Sequence, residues 1–235
     1  MTPRFAITST PAQLDAAGAL LGEHPGTYLQ THLAENHAEI AAARALYPEA
    51  ASYTDTYRRH GLLGPRSLFG HCIHLGEAEI GLLAESGSVA VFCPTSNLFI
   101  GSGLFDRARL AGHHPPVRIA LATDVGGGTS YSMLATAAEA YKVLQLQGQN
   151  LSPLAGLHQI TRGNALALGL EDEIGTLAIG SWADLVVLDA RATPAMAYRM
   201  QTASQLEDEL FVLMILGDDR AVRATYVQGR LMSGR

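Results

Sequence analysis

The sequence has 235 residues, of which 48% are hydrophobic and only 16% are charged, and its formal net charge is −6. This length and this apolar content are sufficient for a large buried core, which excludes a disordered or fibrous protein. The acidic balance and the dispersed basic residues exclude a surface for nucleic acids or anionic membranes.

The cysteines and the apolar runs indicate the cellular compartment of the protein. Cys72 and Cys93 each lie inside an apolar, strand-like run, so we expect two reduced core thiols and no disulfide. No basic-then-apolar leader opens the sequence, and no apolar run has the length of a membrane span. We therefore expect a soluble cytoplasmic protein.

Short apolar runs that alternate with amphipathic stretches predict the fold. The amphipathic stretches 34–46 and 76–86 repeat apolar residues at steps of three and four, which is typical of helices. Strand, helix and strand in succession predict an α/β fold with parallel βα units. The expected strands are 4–10, 27–33, 66–74, 88–96 and 117–124.

The remainder of the sequence predicts two longer helices and a small β appendage. One helix is expected at about 131–148 and another at about 153–168, where Ser152 is the N-cap and Pro153 the first helical residue. The runs 183–190 and 221–232 are strands without partner helices, which indicates a β appendage built from the C-terminal tail.

Polar residues stand at or just after the C-terminal end of every expected strand. In a parallel α/β barrel these ends converge on one face, where such folds place their active sites. Two histidines and an aspartate at one place have the chemistry of a hydrolytic zinc site. The residues are Ser9 and Thr10, His32 with Glu35, His71, Ser96 with Asn97, and Asp124.

Each of these residues also has a structural explanation. Ordinary histidines at strand ends would account for His32 and His71. A solvated carboxylate at a helix start would account for Glu35. Ser96 and Asn97 fit a pocket lining or a turn that caps the strand equally well. The glycines 126–128 lack the lysine and the spacing of a phosphate loop, and we expect them to let the backbone approach the substrate.

Several segments resemble the guanine deaminase branch of the amidohydrolase superfamily. They are "TPRF" (2–5), "THLAEN" (31–36), "HCIHL" (71–75), "CPTSNLFIGSG" (93–103), "ATDVGGGTSYSML" (122–134) and the tail from "LGLEDEIG" to "YVQGR" (168–230). The resemblance implies a partial (β/α) barrel of about strands four to eight over 1–175. It also implies a C-terminal segment, 176–235, that contributes to a small β-sandwich and a final helix.

The same resemblance assigns roles to the strand-end residues. It implies that His32 and Asp124 bind one zinc ion and that Asp124 also accepts a proton from the attacking water. Glu35 would carry protons, and His71 would either ligate the metal or, as we favour, hydrogen-bond to the water. Arg4 and Phe5 would contact the purine, although a loop residue and a core ring explain them too. His74, His113 and His114 are not expected to be ligands.

One departure from the family concerns the metal. Members of the superfamily carry a His-x-His pair in the first barrel strand, and these 235 residues contain none. Phe92 also stands where relatives often have histidine. We expect a fragment, corresponding to the C-terminal two thirds or so of such an enzyme, that is inactive and prone to aggregate by itself; half of a split enzyme is the less favoured explanation.

The resemblance implies hydrolysis of guanine to xanthine and ammonia by a metal-activated water. The alternatives are a related enzyme that acts on another purine, a pterin or a triazine, and a fragment without catalytic activity. The expected partner is the small-molecule purine, with no nucleic acid and no membrane, and a homodimer is compatible with the full-length protein.

Overall fold

Two β-sheets organise the chain, and the computed structural model describes residues 1–234 of it. The first sheet is parallel, in the order β1-β2-β3-β4, and the second is antiparallel, in the order β5-β6-β7. The strands are β1 (Leu29–Leu33), β2 (Ser67–His71), β3 (Val89–Phe92), β4 (Arg118–Leu121), β5 (Leu185–Leu188), β6 (Val222–Val227) and β7 (Arg230–Gly234).

Helices separate the strands of the parallel sheet, as the alternating pattern predicts. They are α1 (Pro11–Glu23), α2 (His37–Leu46), α3 (Tyr53–Arg59), α4 (Glu77–Ser86), α5 (Pro94–Phe99), α6 (Arg107–Gly112), α7 (Met133–Leu146), α8 (Pro153–His158), α9 (Asn164–Leu168), α10 (Pro194–Arg199) and α11 (Leu206–Leu216). Two 3₁₀ turns (Ala6–Thr8 and Asp219–Ala221) and a π-helical turn (Gln159–Gly163) complete the set. The α/β class with a parallel sheet is confirmed.

Burial differs among the strands of the parallel sheet. All four residues of β3 are buried, and Leu29, Leu33 and Phe69 are completely inaccessible. In β1 and β2 buried residues alternate with more accessible ones, so only β3 has the uniformly apolar character of a strand covered on both faces. The register pairs Leu33 with His71, so the ends of β1 and β2 lie level with each other.

The prediction of a strand over 4–10 is wrong. Residues 6–8 form a 3₁₀ turn, and only the first four residues run alongside β1. There Met1 O accepts from Gln30 N at 2.9 Å, and Arg4 O accepts from His32 N at 3.3 Å. Pro3 lacks the N–H that a continuous ladder would need, so the segment touches the sheet edge without becoming a fifth strand.

The expected helix at 153–168 is interrupted. Ser152 caps its start, because its hydroxyl accepts from Ala155 N at 3.2 Å, and the helix then widens into the π-helical turn. Side chains from this region reach the edge of β4: Gln159 donates to Ile119 O, and the amide of Asn164 bonds both N and O of Leu121. These side chains satisfy strand groups that would otherwise lack partners.

One large apolar cluster lies between the parallel sheet and its helices. Phe69, Phe92 and Phe105 occupy it, and α11 contributes Met214 from the C-terminal part of the chain. The C-terminal segment is therefore joined to the main core through a helix, while β5 to β7 form its own small sheet. Cys72 and Cys93 are buried and free, as expected.

No helix within residues 1–234 combines the length and the apolar character needed to cross a membrane.

Candidate active site

Three strand-end side chains converge beyond the parallel sheet. His32 lies near the end of β1, His71 ends β2, and Asp124 follows β4 by three residues. One ligand atom from each lies within 4.8 Å of the other two. The predicted convergence of these three residues is confirmed, and it arises because the carboxyl ends of parallel strands face the same way.

The ring of His32 is fixed by the backbone of the N-terminal segment. Its Nδ1 lies 2.7 Å from the carbonyl oxygen of Arg4. Since a carbonyl only accepts, Nδ1 carries the hydrogen and Nε2 keeps its lone pair, which is the arrangement that a metal-binding imidazole needs. The ring of Phe5 stacks on His32 at a centroid distance of 4.0 Å and an interplanar angle of 20°.

Tyr57 links the N-terminal segment to β1 through hydrogen bonds of its hydroxyl. Its hydroxyl donates to His32 O at 2.9 Å and accepts from Ala6 N at 2.9 Å. It also lies 3.2 Å from the hydroxyl of Thr31. Burial raises the pKa of the Tyr57 phenol, so the hydroxyl stays protonated and can donate. No feature of the sequence marked this tyrosine.

His71 faces two carboxylates. Its Nε2 lies 3.7 Å from Glu35 Oε1 and 3.8 Å from Asp124 Oδ2, and its Nδ1 lies 2.8 Å from Asn97 Oδ1. The first two distances exceed a hydrogen bond, and so leave room for a small ion or a proton donor between the groups. The sequence leaves Asn97 as either a pocket-lining residue or a cap of the strand; in the structure its side chain bonds His71.

Glu35 is buried at the rim of the cluster and is held by a serine. Its Oε1 accepts from Ser102 Oγ at 3.0 Å, and both side chains are buried. Its backbone N–H donates to Glu39 Oε2 at 2.8 Å, within the capping of α2. The structural alternative, a solvated carboxylate at a helix start, is therefore wrong. Ser102 lies 67 residues away and follows no strand, which is why the sequence did not reveal it.

Strained backbone surrounds the cluster. Ala34, His71, Cys72 and Asp124 all have positive φ angles, between 48° and 73°. Non-glycine residues adopt this region rarely, and such residues concentrate at functional sites. In this chain four of the five non-glycine examples among residues 1–234 lie at the ends of β1, β2 and β4.

The glycines after Asp124 allow a close turn. A Cβ on Gly127 would lie 2.6 Å from Ser96 Oγ and 3.1 Å from Asp124 Oδ2, and one on Gly128 would lie 1.8 Å from Thr123 O. A side chain at Gly128 would collide with backbone, and one at Gly127 would have to displace the hydroxyl of Ser96. The turn is therefore packed tightly against Asp124 and its neighbours, while approach of its backbone to a substrate stays a prediction.

A cavity of about 460 Å³ opens beside the metal-ligand candidates, a volume that suits a small heterocycle. His32, His71, Cys93 and Asp124 line it, whereas Glu35, Arg4 and Phe5 do not. Burial, together with the charge of Asp124, raises the pKa of the Cys93 thiol to about 12. In the metal-free chain this thiol is therefore protonated at neutral pH.

The two substrate-contact candidates lie side by side at the edge of the site. The Arg4 guanidinium lies 5.2 Å from the centroid of the Phe5 ring. Arg4 is exposed and Phe5 is partly buried. His74 stays outside the cluster: its Nε2 bonds Ser102 O at 2.9 Å, and its ring packs on His37.

The donor set fits a zinc ion in chemistry, and nearly in geometry. Two imidazole nitrogens and one carboxylate oxygen are the ligands of many catalytic zinc sites, with bonds of about 2.0–2.2 Å. Tetrahedral ligands with such bonds lie about 3.3–3.6 Å apart, so the three atoms, now within 4.8 Å of one another, would draw together by about 1 Å around an ion.

Sequence comparisons identify the relatives. The amidohydrolase family model matches residues 1–232. Guanine deaminase from Escherichia coli K12 is 47% identical over all 235 residues, which cover 53% of its own length. The mouse guanine deaminase is 33% identical over 98% of this chain, and the match covers 52% of the mouse protein. The chain thus spans about half the length of these relatives, rather than the two thirds that we expected, and it matches their C-terminal portion.

Solved structures agree with the sequence matches. The E. coli guanine deaminase superposes with a TM-score of 0.96 over 99% of this chain and 54% of its own. A guanine deaminase from C. acetobutylicum with bound guanine has a TM-score of 0.87 and 26% identity, over 98% of this chain and 54% of its own. An adenosine deaminase from Xanthomonas campestris with bound zinc has a TM-score of 0.80 and 27% identity, over 99% of this chain and 51% of its own.

Proposed function

The chain belongs to the amidohydrolase family, and we propose that it forms the catalytic C-terminal portion of a guanine deaminase. The observation that supports this proposal most directly is the convergence of His32, His71 and Asp124 beside the buried carboxylate of Glu35. The identity of 47% over the whole chain to the E. coli guanine deaminase supports guanine as the substrate. The reaction converts guanine and water to xanthine and ammonia.

The proposed metal ligands of this chain are His32 and Asp124. The Nε2 lone pair of His32 is already directed by the bond from Nδ1 to the Arg4 carbonyl, and Asp124 offers a carboxylate oxygen. A bound zinc ion would lower the pKa of a water molecule from 15.7 to about 7 and so permit attack near neutral pH. Asp124 would accept the proton that this water loses.

Glu35 is the proposed proton carrier. Starting protonated, Glu35 would give its proton to the purine ring nitrogen. It would then take the proton of the newly attached hydroxyl and pass it to the departing amine, so that ammonia leaves as a neutral molecule. Asp124 would return the proton that it took from the water to Glu35, which restores both carboxyl groups. Its burial and its bond from Ser102 Oγ hold the carboxylate at one place. His71 would accept a hydrogen bond from the attacking water, and its Nε2, 3.7 Å from Glu35 Oε1, lies suitably close.

The proposed purine contacts are Arg4 and Phe5. Arg4 would donate to ring acceptors, and Phe5 would present its ring to the flat heterocycle. Phe5 already stacks on His32, so a purine beside Phe5 would stand close to the proposed metal ligand. Their absence from the lining of the 460 Å³ cavity means that this segment would have to contact the purine from the rim.

The architecture beyond the described elements belongs to the same proposal. We propose that the four parallel strands form part of a (β/α) barrel over 1–175 and that the segment 176–235 contributes its sheet to a small β-sandwich. The TM-score of 0.96 to a guanine deaminase over 99% of this chain supports that reading. Cytoplasmic location and a homodimer of the full-length protein stay predictions.

A chimera tests the function. This chain would replace the matching C-terminal portion of the E. coli guanine deaminase, and xanthine and ammonia would be measured with guanine and with adenine as substrates. We expect guanine to be hydrolysed and adenine to be left unchanged. A well-folded, zinc-loaded chimera that hydrolyses adenine, or neither purine, would refute guanine deamination by this chain.

Two variants of the chimera separate the proposed roles. Glu35→Gln keeps the size of the side chain but cannot carry the proton, so we expect unchanged zinc content and turnover lowered by about 10²–10⁴-fold. His32→Ala is expected to lose zinc and activity together, whereas His24→Ala, at an exposed position, serves as the control. Loss of zinc from Glu35→Gln would contradict its role as a proton carrier.

A further inference from the structure

Asn97 is buried directly behind His71. It lies in α5, only 1% of its surface is accessible, and its Oδ1 is 2.8 Å from His71 Nδ1. Its Nδ2 is buried and has no hydrogen-bond partner within residues 1–234. An unpaired N–H of a buried amide costs free energy, so the presence of an asparagine at this position requires an explanation. Among the described residues, the amide of Asn97 bonds only to the imidazole that faces the two carboxylates.

The orientation of this amide decides which nitrogen of His71 carries the hydrogen. With Oδ1 toward the ring, Nδ1 must donate, and Nε2 keeps a lone pair directed at Glu35 and Asp124. With the amide reversed, Nδ2 would donate to Nδ1 and Nε2 would carry a hydrogen into the cluster. The two arrangements give His71 opposite capabilities: a lone pair binds a metal or accepts from water, whereas an N–H donates.

The groups on the other side of the ring make the role of Asn97 testable. His32 Nε2 also presents a lone pair, because the Arg4 carbonyl holds the hydrogen on Nδ1. Asp124 Oδ2 lies 3.8 Å from His71 Nε2 and Glu35 Oε1 lies 3.7 Å from it, both too far for a hydrogen bond. The two carboxylates can only accept, so in the metal-free chain they attract a hydrogen to Nε2. The bond to Asn97 Oδ1 is the contact that holds the hydrogen on Nδ1 instead. With that bond in place, a cation or a proton donor would meet electron pairs from all four groups.

We propose that Asn97 is a positioning residue that fixes the Nδ1–H tautomer of His71, so that Nε2 can only accept. The inference deepens the proposed deaminase function, since it restricts His71 to ligating the metal or accepting from the water. It is independent of guanine, because the tautomer is a property of the metal-free chain.

Nitrogen NMR tests the tautomer directly. In the ¹⁵N-labelled 235-residue chain without metal at pH 8, long-range proton–nitrogen spectra distinguish a ring nitrogen that carries hydrogen from one that does not. We expect Nδ1 of His71 to carry it. His32 provides an internal reference, since its Nδ1 is fixed by a backbone carbonyl. A hydrogen on Nε2 of His71 in the parent chain would overturn the proposal by itself.

Two variants show that Asn97 is the cause. Asn97→Leu removes the acceptor and keeps the bulk, so His71 should move toward the Nε2–H form that imidazole prefers in water, with zinc binding about 10–100-fold weaker. Asn97→Asp retains an oxygen that cannot be reversed, and it should keep the hydrogen on Nδ1 and bind zinc nearly as the parent does. Unchanged tautomer and zinc affinity in a folded Asn97→Leu would overturn the proposal.

The deaminase proposal and the inference about Asn97 can be refuted independently. If Asn97→Leu does not fold, as judged by the loss of the His32 signals, the parent and Asn97→Asp spectra still decide the tautomer. If the tautomer is as expected and the chimera does not act on guanine, only the deaminase proposal is refuted. If the chimera is active and His71 carries hydrogen on Nε2, only the inference about Asn97 is refuted.

Discussion

Replacing Tyr57 with phenylalanine tests whether one hydroxyl holds the candidate site together. The variant keeps the buried ring and removes a single oxygen atom. That oxygen accepts from Ala6 N, donates to His32 O and lies next to Thr31 Oγ1. Its loss would leave the Ala6 N–H and the His32 carbonyl without these partners in a region where Ala6 and Tyr57 have no accessible surface.

The magnitude follows from the number of groups left unpaired. A buried donor or acceptor without a partner costs about 1–3 kcal/mol, so the loss of both partners lowers the free energy of unfolding by about 2–6 kcal/mol. In a protein of this length each kcal/mol shifts Tm by about 2–4 °C. We therefore expect Tyr57→Phe to lower Tm by about 4–24 °C.

Thermal unfolding followed by circular dichroism measures this shift. Tyr131→Phe is the matched control, because the side chain of Tyr131 is 85% exposed and its hydroxyl can bond to water; its Tm should change by about 2 °C or less. If Tyr57→Phe unfolds at the same temperature as Tyr131→Phe, the hydroxyl does not join the N-terminal segment to β1 in the way that the distances indicate.

Two further predictions concern acid stability and the glycine turn. Burial raises the pKa of Asp55, but the Ala51 N–H and the guanidiniums of Arg58 and Arg59 outweigh it and hold the pKa below its ordinary value of 3.8. Its contribution to stability is full above pH 3.8 and is lost as the pH falls through the lowered folded-state pKa. Asp55→Asn should therefore lower Tm at pH 7 more than at pH 2, whereas exposed Asp172→Asn should show no such difference. Gly127→Ala should displace Asp124 and weaken zinc binding by about 10–100-fold; Gly112→Ala, which has open space around it, should bind zinc as the parent does, and equal affinities for the two would contradict the tight turn.

The strand ends could be predicted because one physical rule governs them. Alternating strands and helices indicated parallel βα units, and parallel strands place their carboxyl ends together. His32, His71 and Asp124 each follow an apolar run, so their convergence required no knowledge of side-chain packing. The run 4–10 was predicted as a strand for the same reason, and this prediction is wrong. Pro3, just before the run, cannot donate to a β-ladder, and residues 6–8 turn away from the sheet.

The partners of the site residues could not be predicted in the same way. Ser102 bonds Glu35 across 67 residues, and Tyr57 bonds His32 from the middle of α3. Neither stands at a strand end, and a serine or a tyrosine in a helical or loop segment has many ordinary explanations. Such contacts depend on how helices pack against the sheet, which the apolar periodicity of a sequence leaves open.

The site therefore consists of two parts that are fixed by different means. The metal-ligand candidates Asp124 and His71 are held by the sheet itself, through backbone with positive φ and through neighbours such as Asn97. Arg4 and Phe5 belong to a segment that only touches the edge of β1, and the hydroxyls of Tyr47 and Tyr57 fasten its continuation at Ala6. His32 belongs to both parts, because its ring is held by the Arg4 carbonyl and its own carbonyl by Tyr57. Changes near Tyr57 should therefore alter the orientation of a purine and the metal contact of His32 together, while Asp124 and His71 stay in place.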